Sequence, residues 1–143
     1  EGRFGDKRML GEAEILKLQA MKTGALLRFA CRAGAMLGGA DAPLVSAVDR
    51  YGVALGQAFQ IADDLLDVEG DTAVMGKRAG KDAAAGKATL VRVLGANGAR
   101  TRLAALIAQA DAALAPFGTK ADILRAAAHF IVTPFGAHPP RIR

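Results

Sequence analysis

The stretch from Pro43 to Val68 limits what this chain can fold into more than any other segment. Val45, Val48, Gly52, Leu55, Phe59, Ala62 and Leu66 recur along one helical stripe. Val53, Ala54, Ala58, Ile61, Leu65 and Val68 fill much of the remaining circumference. Such a helix would run roughly 39 Å at 1.5 Å per residue. Apolar on nearly every side, it must be wrapped by other helices and belongs in a core. Yet it closes on three carboxylates, Asp63, Asp64 and Asp67. Aspartate is a poor helix former, and its charge is unfavourable near a helix C-terminus. Their presence there needs a reason other than helix stability.

The rest of the chain supplies the wrapping. Residues 1–10 are polar and Gly-rich and read as a loop. From about Glu12 to Gly38 the pattern is helical, with a break predicted at Thr23-Gly24. Gly38 to Pro43 reads as a turn: Gly closes one helix, Asp41 caps the next, and Pro43 suits a first helical turn. Residues 70–87 carry glycines without a hydrophobic period and read as a long loop, a length that favours a functional role. Shorter helices are predicted at about 88–95, 97–115 and 120–132, with a break at Pro116-Phe117-Gly118. Beyond Thr133, Pro134, Pro139 and Pro140 forbid a further helix. No strand pattern or internal repeat is visible, so the predicted class is all-α.

Composition narrows the partners. At 143 residues the chain is about one domain long. Its net charge of +5 comes from Lys and Arg scattered among acids, with no basic run interleaved with aromatics. This argues against nucleic acid. The lone Cys31 excludes an internal disulfide and fits a reducing compartment, hence a cytoplasmic location. No apolar stretch approaches the roughly 18–20 residues of a membrane span. A chain opening on Glu1 gives no targeting information.

Four groups of residues invite a chemical reading. Asp63 and Asp67, four apart on a helix, share a face and could hold a hard cation through oxygen, with Asp64 beside them and Asp71 one turn further on. The bland alternative is a solvated acidic face, but carboxylates on a buried helix are costly unless paired or metal-bound. Lys22-Thr23-Gly24 is either a surface lysine beside a kink or a break whose backbone, ammonium and hydroxyl bind phosphate oxygens. The segment Gly76 to Ala88 is either a basic linker or a lid bringing Lys77 and Lys87 over an anion held at Asp63. It is not a P-loop: five residues rather than four separate Gly80 from Gly86, and Ala88 stands where Ser or Thr would hold Mg²⁺. Cys31, His129 and His138 lack partners at catalytic or metal spacing and receive no role. Met21 and Met36 read as core fillers.

Taken in order, these pieces resemble a known family. Lys22-Thr23-Gly24-Ala25-Leu26, Tyr51 to Asp67, Gly70-Asp71-Thr72, Gly76-Lys77-Arg78 and Gly86-Lys87-Ala88-Thr89 are similar to the C-terminal half of trans-polyprenyl diphosphate synthases of the bacterial farnesyl type. The likeness covers residues 1–132 and leaves 133–143 as an atypical tail. It implies an isoprenoid-synthase helical bundle, here an incomplete C-terminal part, in a family whose full-length members pair as homodimers. It implies head-to-tail condensation of isopentenyl diphosphate with an allylic diphosphate that ionises on Mg²⁺. By the same resemblance Asp63, Asp64 and Asp67 belong to the second aspartate-rich motif and hold the metal. Lys22, Thr23, Gln60, Lys77 and Lys87 would contact the allylic diphosphate, and Asp63, Lys22 and Lys77 would be the catalytic groups. The family's first aspartate-rich motif and its basic isopentenyl diphosphate site do not occur in these residues, so half an active site is expected. A class I terpene cyclase fits less well, because no Asn/Ser/Glu motif follows. A non-catalytic or degenerate subunit is the alternative from a different class.

Overall fold

In the computed structural model, which describes residues 11, 13, 14, 17, 20–75 and 89–133 without the side chains of 20, 22 and 69–75, the turns form as their residues dictate. Helix α1 (Ala25–Leu37) ends in a Schellman arrangement. The Ala40 N–H donates to the Ala35 carbonyl at 3.0 Å and the Gly39 N–H to the Met36 carbonyl at 3.1 Å. Gly39 takes φ +74°, a backbone state that a side chain would disfavour. Two residues later Asp41 starts α2 (Ala42–Met75). Its Oδ1 accepts the Leu44 N–H at 3.0 Å, satisfying one of the helix's orphan donors.

Helix α2 continues seven residues past Val68 to Met75, so residues 70–75, expected in the loop, are helical. A lone Gly70 costs about 1 kcal/mol relative to alanine, too little to stop a helix already anchored by packing. The added turns change the setting of the aspartates. Asp67 lies eight residues before the end of α2, beyond the last turn where the dipole acts. The charges are therefore not set against the helix terminus. Residues 76–88 and 134–143, including the expected lid and tail, lie outside the described residues.

Helix α3 (Leu90–Ala113) is capped by Thr89, whose Oγ1 accepts the Arg92 N–H at 3.3 Å. It is interrupted at Gly95, matching the predicted division near residue 96. A 3₁₀ segment (Ala115–Ala121) then carries the break at Pro116-Phe117-Gly118 into α4 (Asp122–Val132). Arg125 closes this corner. Its Nη1 donates to the Gly118 carbonyl and the Asp122 carboxylate, both at 2.7 Å, and its Nη2 to the Leu114 carbonyl at 3.0 Å.

The core sits on one side of α2. Tyr51, Ala54, Ala58, Ile61, Ala62 and Leu65 are buried against Leu103, Leu106, Ile107 and Ala110 of α3 and Ala128 and Val132 of α4. Tyr51 is clamped as well as buried: its hydroxyl donates to the Leu124 carbonyl at 2.8 Å. The expectation that α2 is buried on nearly every side therefore needs correcting. Phe59 is 45% exposed and Leu66 46%, although the sequence placed both on the leading stripe. Met21 and Met36, read as core fillers, are likewise exposed. Apolar character shows that a face can be buried, whereas burial requires a neighbour to cover it. Among the described residues there is no strand, and no helix is long and apolar enough to cross a membrane.

Candidate functional site

The predicted break at Thr23-Gly24 is a π turn, Ala20–Gly24, leading directly into α1. Such single turns widen the helix by one residue and are found often at functional sites. Gly24 is buried and Thr23 half-buried. What buries Gly24 is α2. A Cβ built on Gly56 would lie 2.7 Å from the Gly24 Cα, and one built on Gly52 would lie 3.0 Å from the Arg28 Cα. The two contacts give the register: α1 and α2 run antiparallel, with Gly24 opposite Gly56 and Arg28 opposite Gly52. Continuing that register brings residues 20–23 alongside the turn of α2 that follows Gly56.

That turn holds the polar residues. Gln60, Asp63 and Asp67 lie four, seven and eleven residues beyond Gly56, so all share the face of α2 that meets the π turn. Asp63 and Asp67 are exposed. Asp64 points away from them and is 7% exposed. It accepts the Gln60 Nε2–H at 3.4 Å, a long hydrogen bond that links it to the half-buried amide. Phe59 and Leu66 flank Asp63 on the same side and leave apolar surface beside the carboxylates. Charged oxygens next to an exposed apolar strip suit a ligand with an anionic head, a metal ion and an oily tail.

Of the groups singled out from sequence, Asp63, Asp67, Gln60 and the Lys22-Thr23 backbone are thus brought to one side of the molecule. Asp64 adjoins them from the buried side. Lys77 and Lys87 lie outside the described residues, as does the side chain of Lys22. Among the described residues no three His, Cys, Asp or Glu side chains form a group able to hold a metal unaided.

Two features were not read from sequence. The first is the glycine contact itself, although Gly52-x-x-x-Gly56 on a long helix is a pattern that permits close approach of backbones. The second is an ion pair behind it. Arg28 Nε and Nη2 donate to the two Asp49 oxygens at 2.7 and 2.8 Å, with Arg32 at 3.7 Å. The Arg28 hydrogen bonds hold the Asp49 carboxyl below its ordinary pKa, against the opposing effect of burial. Nearby, burial pushes the Cys31 thiol up, aided by the Asp49 charge. His129, given no role, does have a partner: its Nε2 lies 2.6 Å from Asp111 Oδ2 and ties α4 to α3.

Two surface hollows of about 450 and 470 Å³ flank α2 at Arg28, Phe29 and Gln57 and at Asp49, Gln57 and Gln109. Neither is lined by Gln60, Asp63 or Asp67.

The sequence model of the polyprenyl synthetase family matches residues 4–119. Over 114 residues the chain is 42% identical to a protein of Sinorhizobium fredii named "Probable farnesyl diphosphate synthase", a stretch covering 77% of this chain and 34% of that one. It is 42% identical over 135 residues to the geranylgeranyl diphosphate synthase of Mycobacterium tuberculosis, covering 89% of this chain and 37% of the relative. Among solved structures it superimposes on an apo FPP/GFPP synthase from Zymomonas mobilis with a TM-score of 0.76 at 39% identity. That match covers 90% of this chain and 41% of the other. The chain thus spans about a third of the length of the curated relatives it matches.

Proposed function

Because the chain belongs to the polyprenyl synthetase family, we propose that it carries one wall of the active site of a short-chain trans-prenyltransferase. The reaction is head-to-tail condensation of isopentenyl diphosphate with an allylic diphosphate, the latter being the ligand of this wall. One observation carries the reading: the π turn at Ala20–Gly24 is packed onto the same face of α2 that presents Gln60, Asp63 and Asp67.

In this reading Asp63 and Asp67 would hold Mg²⁺ at the diphosphate site. Asp64 keeps the Gln60 amide oriented toward it. Bound there, Mg²⁺ would supply positive charge for a pyrophosphate leaving group. The chain's own residues do the rest. Lys22, Thr23 and Gln60 grip diphosphate oxygens, and Lys77 and Lys87 close over them. Donors set in advance stabilise the negative charge that grows as the carbon–oxygen bond breaks. Phe59 and Leu66 lie against the prenyl tail, where an apolar surface keeps water from the allylic cation.

Calorimetry with pyrophosphate and Mg²⁺ tests the wall directly. The chain should bind pyrophosphate in the presence of Mg²⁺ and lose that binding on Asp63→Ala. Equal binding by the variant would remove Asp63 from the site. With both substrates and Mg²⁺, the 143-residue chain should make little or no condensation product. Clear farnesyl product would refute the half-site reading. A full-length version should work as a homodimer, which sedimentation would check, and Asp63→Ala should cost it most of its rate.

A further inference from the structure

We infer that Gly56 is a positioning residue for the diphosphate site: its missing side chain sets the separation between the π turn at Ala20–Gly24 and the carboxylate face of α2. This role rests on the function proposed above, but the observations behind it are geometric. A Cβ on Gly56 would lie 2.7 Å from the Gly24 Cα and 3.5 Å from the Gly24 carbonyl carbon and oxygen. All three obstacles are backbone atoms, so no side chain can swing aside. Apolar contacts settle at about 3.5–4.0 Å, and relief therefore means opening the gap by roughly 1 Å.

The opening would fall where it matters. Gly24 is the last residue of the π turn and immediately follows Lys22 and Thr23. Gly56 lies one turn before Gln60 and two before Asp63 on the same face. A displacement at Gly56 thus moves the anchor on one helix away from the ligands on the other. Losses on the order of a hundredfold can follow a misplacement of about 1 Å in a reacting site. Gly52 supplies the internal comparison. Its Cβ would meet the Arg28 Cα at 3.0 Å and Cys31 Cβ and Sγ at 3.2 and 3.3 Å, one turn farther from the anchor. Substitution there strains the same helix pair but pushes on α1, with the π turn spared.

The test compares Gly56→Ala with Gly52→Ala in the intact chain. Thermal unfolding reports the helix packing, Mg²⁺–pyrophosphate titration reports the site, and hydrogen exchange reports the amides of 20–24. Both variants should lose stability. Gly56→Ala alone should weaken pyrophosphate binding by about tenfold or more and speed exchange at 20–24, with α3 and α4 remaining protected. Should Gly56→Ala melt below the assay temperature, both variants and the unsubstituted chain are titrated together at a temperature below the melting point of the weaker variant. Wild-type affinity in Gly56→Ala, or parallel losses of affinity and stability in the two variants, would overturn the role. If the unsubstituted chain binds no Mg²⁺–pyrophosphate, the functional reading fails first and this role falls with it.

Discussion

The two sides of α2 are held by opposite means. Toward α3 and α4 the contact is made of bulk: Ile61, Leu65, Leu103 and Leu106 are almost fully buried, and Tyr51 adds a hydrogen bond across to Leu124. Toward α1 it is made of absence. No residue of α1 is buried, Phe29 is 68% exposed, and the helices meet through Gly52 and Gly56, with Asp49 ion-paired to Arg28 and Arg32. Apolar burial is forgiving in direction and large in energy, so the first side can hold the fold. Backbone contact through glycine gives little burial but fixes a distance. Bulk packing and close backbone approach are thus assigned to different faces of a single helix.

The contrast can be broken by substitutions on either side. The largest effect is expected at Leu106→Ala, which leaves a cavity in the bulky side and should cost about 2–5 kcal/mol in denaturant unfolding. A loss under about 1 kcal/mol would mean that the core relaxes freely and is no more specific than the α1 side. Tyr51→Phe removes the hydroxyl but keeps the ring, so about 1 kcal/mol is expected. Burial, with the charges of Cys31 and Asp111, pushes the Tyr51 phenol up to about 12. Its folded pKa thus lies above the unfolded value of about 10. The associated stability is present below that value and is lost as pH rises toward about 12, which an absorbance titration of the phenolate would follow.

Smaller effects belong to the α1 side. Asp49→Asn should loosen α1 alone, visible as faster hydrogen exchange at Ala25–Leu37 with α3 unchanged. The depressed pKa of Asp49 sets the sign: its contribution is present above about pH 4 and fades as pH falls through the lower folded value. Wild type and variant should therefore converge in acid. Because Arg28 is half exposed, the pair is screened, and added salt should shrink the difference. Phe29→Ala should change stability by less than about 0.5 kcal/mol, as for other exposed sites. A loss comparable to Leu106→Ala would mean that something in solution covers α1.

Much of this organisation was legible in the residues because it depends on neighbours in sequence. Asp41 and Pro43 opened a helix, Gly38-Gly39 closed one, and Thr23-Gly24 broke one, each through local backbone chemistry. The four-residue spacing of Asp63 and Asp67 placed them on one face for the same reason. Gly70 misled: glycine lowers helix propensity only slightly, and packing elsewhere on α2 carried the helix to Met75. Phe59 and Leu66 misled differently, since their pattern matched that of residues that are buried.

Local chemistry therefore determined by itself that the chain is all-α, where most of its helices begin and end, and that Asp63 and Asp67 share one helix face. Only the tertiary structure decided which of two apolar faces of α2 is covered, and that Gly56 brings the π turn against the aspartate face. Propensity and capping act within one turn of backbone, whereas burial and separation between helices depend on what arrives from distant parts of the chain.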